Sequence, residues 1–416
     1  MNLFLARRFF RSGNKENKRK ASAPAIRIAT AGVALGLVVM ILSLCMVKGF
    51  QSEVSRKLTG FASQMEILDL KSCTSPESYP IVTDAAFIDK VRHIPGVARV
   101  QRVSGKMGIL KTEDSFQGVA LKGVGQDYDL NFIRENLVEG EMPVFTDSAS
   151  TNKILISQMQ ADALGLKVGG RVYAYFFENT VKMRRFEIAG IYRTNLSQYD
   201  KLFVITDIYT VGRLNGWEPD QSSALELSFD DFDRLDEMQV RVARVVNGTT
   251  DRNGASYSAL SIKENPRVAS VFTWLELLDF NVLIILVLMV CVAGFTMVSG
   301  LLILILERTN TIGVLKAMGA TNTRIRHIFL WFAAMIVGRG LLIGDAVGLA
   351  VIWAQSRWGL VRLDPATYYV DAVPVEFNVW WILGLNAATL FITVLALIVP
   401  SFMISRIQPA RVIRFD

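Results

Sequence analysis

The residue types that usually carry catalysis are few and scattered. The 416-residue chain has two histidines, His93 and His327, and three cysteines, Cys45, Cys73 and Cys291. There is no His-Glu-x-x-His spacing and no cysteine cluster, so the ligands of a zinc site are missing. No Gly-x-x-x-x-Gly-Lys-Ser/Thr loop is present to cradle nucleotide phosphates. The serines of "VSGKM" and "MVSGL" have neither a nucleophile elbow nor a histidine partner. Asp230, Asp231, Asp233 and Asp236 in "FDDFDRLDE" form an acidic run that reads as a weak calcium site or, more commonly, as the solvated start of a helix. "NGTT" at Asn247 fits a glycosylation sequon, which carries weight only in a secretory-pathway host. The expectation is a chain that is not an enzyme and that holds neither metal nor cofactor.

The apolar residues are more informative. Four windows, Ile28–Val47, Val282–Leu306, Ile328–Trp353 and Val379–Val399, are each long enough at about 1.5 Å per residue to cross a hydrocarbon core of about 30 Å. Basic residues set their direction. Eight Lys or Arg against Glu16 precede the first window, and Arg308, Lys316, Arg324 and Arg326 against Glu307 follow the second. Arg406, Arg411 and Arg414 against Asp416 close the chain, whereas the connection after the third window carries Asp364, Asp371 and Glu376 against Arg357 and Arg362. Both termini are therefore expected in the cytoplasm. Residues 51–275 fall outside, with 26 basic and 29 acidic residues, a net of −3 against +7 for the whole chain. The basic character belongs to the membrane flanks, and a nucleic-acid partner is not expected.

These readings divide the chain as follows: 1–27, a cytoplasmic basic and amphipathic segment; 28–50, the first transmembrane helix; 51–275, an outer α+β domain; and 276–306, the second helix. Then come 307–326, a short cytoplasmic helix; 327–353, the third span; 354–378, an outer loop; 379–400, the fourth span; and 401–416, a cytoplasmic tail. Cys45 in "LSLC" follows a bulky leucine, so the first span reads as an uncleaved anchor. Gly32 with Gly36, and Gly340 with Gly344 and Gly348, are small-residue ridges that admit close helix approach. "FQSEVSRKLTGF" prolongs the first span as a helix, and "NPRVASVFTWLELLDF" runs into the second. Between them strands are expected in "ARVQRVSGKMGILK", "FQGVALKGV", "RRFEIAGIY", "KLFVITD" and "ALELSFDD", and helices in "AAFIDKVRHIPGV" and "DIYTVGRLNG".

The short segment "ERTNTIGVLKAMGATNTRIRHIF", starting at Glu307, has an apolar ridge of Ile312, Val314, Leu315 and Met318 flanked by Thr311 and Lys316, with Gly319 placed to end it. It is too brief and too weakly basic to rest on lipid, and reads as a knob for a groove on a soluble partner. In this segment the chain resembles the lipoprotein-releasing permeases, within the wider superfamily of MacB- and FtsX-like ABC permeases. "ARRFFRS", "GVALGLVVMILSLCMVKGF", "ADALGLKVGGRV", "YYVDAVPVEFN" and "ISRIQPARVIRFD" extend the resemblance over essentially the full length.

The resemblance implies an α-helical membrane protein with four transmembrane helices and a large mixed α+β periplasmic domain inserted between the first and second, in the bacterial inner membrane. Its partners would be a cytoplasmic ABC ATPase dimer, where ATP and Mg2+ bind, a second permease subunit, identical or related, a triacylated lipoprotein substrate and a periplasmic lipoprotein carrier. Coupling to the ATPase is expected at Glu307, Arg308, Thr311, Ile312, Leu315, Lys316, Met318 and Gly319. Met40, Met46, Phe50, Met289 and Phe295 are candidates to line an acyl-chain cavity between the first two spans, since methionine adapts to irregular chains. Each methylene brought into water costs about 0.8 kcal/mol, so release needs both work and an apolar acceptor. By position, Phe177, Glu178, Val181 and Met183 form a candidate carrier-contact hairpin, short for the purpose. Two alternatives stand beside this reading: a MacB-like exporter, and an FtsX-like signalling protein that controls a periplasmic hydrolase.

Overall fold

The structure, a computed structural model, describes residues 22–75, 77–177, 180–265 and 268–403. The expected amphipathic segment at the N-terminus, Glu178 and nearly all of the expected C-terminal tail lie outside the described residues. Contacts divide the chain into two compact units, one of Glu53–Trp274 with Leu363–Asp371, the other of the remainder. Four described helices are long and apolar enough to cross a membrane, and the large mixed α+β unit is inserted between the first and the rest.

Helix α1 (Ser22–Phe61) has 40 residues, about 60 Å at 1.5 Å per residue. The α+β unit that follows contains β1 (Met65–Asp69), β2 (Ile81–Val82), α2 (Ala85–Arg92), β3 (Val97–Lys111), β4 (Phe116–Val124), β5 (Leu137–Gly140), β6 (Lys153–Ser157), α3 (Gln158–Leu164), β7 (Arg171–Phe177), β8 (Val181–Tyr192), α4 (Ser197–Leu202), β9 (Phe203–Asp207), α5 (Ile208–Asn215), β10 (Gln221–Ser222), β11 (Ala224–Phe229), α6 (Leu235–Val246) and β12 (Tyr257–Ser261). The helices start where short polar side chains take up free backbone amides. Asp84 accepts from Phe87 N at 2.8 Å and Asp207 from Thr210 N at 2.6 Å, while Ser157 and Gln160 form a capping box. The acidic run Asp230–Asp236 leads into α6, with Asp236 in its first turn, where negative charge faces the positive helix end.

Pairing of β3–β4, β4–β9, β9–β6, β6–β8, β8–β7 and β7–β3 closes a ring of six strands. Its apolar core includes Leu110, Leu121, Ile154, Phe176, Phe186 and Val204. The N-terminal half of β3 instead pairs with β11, which continues through β1 to β12 as a three-stranded wing. Fifteen residues long, β3 belongs to both parts.

One contact cluster ties the 363–371 segment into this unit. The Lys57 amine, buried, donates to Tyr369 O at 2.8 Å and Thr194 O at 3.3 Å. Asp200, also buried, accepts from Thr194 Oγ1 at 2.6 Å and from the amides of Thr194 and Asn195. Asn195 in turn donates to Asp371 at 3.0 Å. Asn195 and Tyr369 both have φ of 63°, and for Tyr369, a bulky residue, that is uncommon backbone.

The second unit holds α1 up to Ser52, most of α7 (Ala269–Glu307), α8 (Thr309–Ala317), α9 (Asn322–Trp358) and α10 (Val379–Ala396). Of the four long helices α1 and α9 are the most enclosed, 44% and 39% of their apolar windows being buried against 22% for α7 and α10. The glycine ridge of α9 explains this. A Cβ on Gly340 would lie 2.9 Å from Val33, and one on Gly344 2.9 Å from Ala34 O. A Cβ on Gly32 of α1 would likewise meet Thr296 of α7 at 2.8 Å. The spacing of four therefore places bare backbone where three helices meet.

Candidate coupling helix and transport path

Helix α8 follows α7 with no side chain capping its N-terminus; Thr309 folds back to Ile305 O at 3.2 Å. Gly319 adopts φ of 86°, which suits a residue without Cβ, and Ala320 N closes on Leu315 O at 3.0 Å. The expected apolar ridge proves to be two faces. Ile312 is 0% exposed and sits in the bundle core with Ile305, Ile325 and Phe329, with Leu315 packed against it. Val314 and Met318 face outward, Met318 at 78% exposure. Thr311, Lys316 and Arg308 are half-buried beside them, and Glu307 and Gly319 are exposed. Partial burial lowers the Lys316 amine from its ordinary range. Arg326, one turn into α9, stacks over Phe402 at 3.9 Å and donates to Ser401 Oγ at 3.2 Å. Val314 and Met318 thus form a small exposed apolar patch on a helix whose opposite face is in the core.

Of the five candidate lining residues, Met40 and Met289 share one apolar cluster, and Phe295 points away from the core. Met40 is fully buried in the bundle core, and Met289 packs against the same cluster. Met46 is half-buried, Phe50 is buried, and Phe295 projects outward at 73% exposure. Between α1 and α7 the contact is polar at one end: Lys48 pairs with Asp279 at 2.8 Å, and Gln51 donates to Leu275 O at 2.8 Å. An ion pair this exposed is worth about 0–1 kcal/mol, so it orients the two helices without locking them.

Sequence reasoning did not single out Gly49. A Cβ there would fall 2.7 Å from Glu376 N and 2.8 Å from Pro374 O. Glu376 N donates to Cys45 O at 3.0 Å, so the "VPVE" stretch lies directly on the backbone of α1. Gln355, buried near the end of α9, holds the same connection by accepting from Val361 N and donating to Val361 O and Val373 O. Within the third span, Asp345 accepts from Asn386 of α10 at 2.9 Å, and Arg339 lies on an exposed side of α9.

In the α+β unit the hairpin β7–β8 pairs Phe177 with Val181 and Tyr175 with Met183. Phe177, Val181 and Met183 are all exposed, a run of apolar surface toward the end of this hairpin. No group of three or more His, Cys, Asp or Glu side chains able to hold a metal ion occurs among the described residues.

A sequence model of the MacB-like periplasmic core domain matches residues 28–245, and one of the FtsX-like permease C-terminal region matches residues 283–409. The chain belongs to the MacB- and FtsX-like permease superfamily. It is 23% identical over 429 residues to the lipoprotein-releasing system transmembrane protein LolC of Neisseria meningitidis, with 94% of each chain covered. It is 20% identical over 408 residues to the lipoprotein-releasing system transmembrane protein LolE of Haemophilus influenzae, with 93% of each covered. The solved periplasmic region of MacB from Actinobacillus actinomycetemcomitans is similar over 49% of this chain and 91% of that one, at 12% identity and a TM-score of 0.33. Within the superfamily the chain is of the LolC/LolE type.

Proposed function

We propose that this chain is the permease subunit of an ABC transporter that takes lipoproteins bound for the outer membrane out of the inner membrane and passes them to a periplasmic carrier. The observation that carries the reading is the likeness to lipoprotein-releasing proteins along 94% of both chains. A separate ATPase dimer, holding ATP and Mg2+, would supply the work through α8, and two permease subunits would enclose the substrate. Both termini would be cytoplasmic and the α+β unit periplasmic, in keeping with the charge of the flanks.

In this reading Val314 and Met318 enter the ATPase, while Ile312 and Leu315 join the helix to the bundle so that force on α8 reaches α7 and α9. Acyl chains would enter between α1 and α7, and the exposed Lys48–Asp279 pair would part at little cost. Met40 and Met289 would then become lining, with Met46, Phe50 and Phe295 completing it. The exposed Phe177, Val181 and Met183 would meet the carrier. The test is a Val314→Asp, Met318→Asp double variant reconstituted with the ATPase. The expected result is loss of permease-stimulated ATP turnover at an unchanged unfolding temperature. Full stimulation would remove α8 as the coupling element.

A further inference from the structure

The fourth span buries polar groups and exposes apolar ones. Helix α10 turns Leu383, Phe391 and Leu395 outward, while its buried residues are Ile382, Thr389 and Thr393. Asn386, half-buried, precedes Thr389 by three residues and Thr393 by seven, so the three polar side chains share one face. On that face α10 packs against α9, whose Asp345 accepts from Asn386 Nδ2 at 2.9 Å.

Three oxygens there are buried with no hydrogen-bond partner among the described residues: Asn386 Oδ1, Thr389 Oγ1 and Thr393 Oγ1. Asn386 uses both of its N–H donors, on Asp345 and on Ile382 O at 3.0 Å, so only its oxygen is left over. Helical threonine commonly returns its hydroxyl to the carbonyl four residues back. Thr30, Thr273, Thr296 and Thr309 do so in this chain, at 2.8, 3.0, 2.7 and 3.2 Å. Thr389 and Thr393 do not, and hydrocarbon around a span supplies no water in exchange. Their hydroxyls are therefore available to another group.

The chemistry of the oxygens narrows that group. A carboxylate, an amide oxygen and a hydroxyl present lone pairs and one negative charge, the set that suits a hard cation. Calcium sites usually gather several carboxylates, and here there is one. Water would pair the orphaned oxygens but leave the charge of Asp345 inside the span, where charge is expensive. The hydrogen bond that Asp345 receives comes from a neutral amide, and Arg339, six residues earlier, leaves α9 on a different side.

We infer that α9 and α10 hold an alkali cation, Na+ or K+, on the Asp345 carboxylate, the Asn386 amide oxygen and the Thr389 hydroxyl. Along the axis Thr389 is about 4.5 Å from Asn386 and Thr393 about 10 Å, so one ion reaches the first and not the second. The inference goes beyond the transport reading and does not depend on it.

The test uses the full chain in lipid nanodiscs, without ATPase, lipoprotein or carrier, in choline chloride at constant ionic strength. The probe is radioactive sodium, with rubidium standing for K+ in a second arm, counted on the protein by scintillation proximity. Saturable binding of at least one of the two is expected. Asp345→Asn should abolish it, and Thr389→Val should weaken it about tenfold, while Thr393→Val should bind within about twofold of the parent chain. Thr389→Val keeps the side-chain shape and removes an unpaired hydroxyl, so its unfolding temperature in choline alone is expected to match that of the parent. Adding the bound ion should raise the unfolding temperature of the parent and not that of Asp345→Asn. Absence of saturable binding of either ion would overturn the proposal and leave these oxygens to water. Equal weakening by Thr389→Val and Thr393→Val would overturn it as well, since helix packing rather than a ligand would then set the effect. Because no transport component is present, none of these results bears on lipoprotein release.

Discussion

At the residue scale, helix α8 shows what periodicity reveals and what it hides. Ile312, Val314, Leu315 and Met318 read in the sequence as one apolar ridge, because a 3.6-residue repeat marks a face without saying what covers it. The structure divides them: Ile312 enters the core beside Ile305, and Met318 remains outside. Ile312→Ala is therefore expected to destabilise the helical unit by about 2–5 kcal/mol, whereas Met318→Ala should stay within about 0.5 kcal/mol. Thermal unfolding in detergent separates the two. Asp200 gives a second residue-scale expectation. Burial, opposed by hydrogen bonds from Thr194 and Asn195, raises its pKa above the ordinary aspartate value. The folded unit then holds this proton more tightly than the unfolded chain. Stability from this group is present in full at acid pH and is lost as pH rises from the ordinary aspartate value through the raised one. Asp200→Asn should abolish that slope and, by leaving buried donors poorly matched, lower stability by about 1–3 kcal/mol at neutral pH. Unfolding measured across pH 3–8 checks both parts, taking the range in which carboxylates titrate.

At the scale of elements, four long helices and most of the strands of the α+β unit were legible, because each carries its own period. Small-residue spacing also announced the ridge of α9, though not its partner; that α1 lies in it follows only from Gly340 against Val33 and Gly344 against Ala34. Gly49 gave no signal, since a single glycine at a helix end has no repeat, yet the chain at Pro374 and Glu376 rests on it. Gly344→Ala must push backbone aside and is expected to lower stability by about 1–3 kcal/mol. Gly338→Ala, with no atom within 4 Å of the added carbon, should be neutral or mildly stabilising. Equal effects in an unfolding experiment would contradict the assignment of the ridge to the α1 contact.

At the scale of the whole molecule, hydropathy marked the four long helices and the domain inserted after the first, since it is a sum over long segments. Closure of six strands into a ring was not legible. It depends on β3 pairing with β7 and β4 with β9, contacts far apart in sequence that no local pattern encodes. Short strands such as β1 and β12 escaped for a related reason, as five residues offer too few alternations to read. The lipoprotein-release account rests on likeness along nearly the whole chain, with the coupling face and the α1–α7 contact as its physical parts. The most direct measurement is ATP-driven release of a radiolabelled triacylated lipoprotein from proteoliposomes containing this chain and its ATPase, with and without the soluble carrier. Transfer that requires ATP, carrier and an intact Val314–Met318 face is the result the account requires. Brisk ATP turnover with the lipoprotein still in the membrane, even after a related second permease is added, would contradict it.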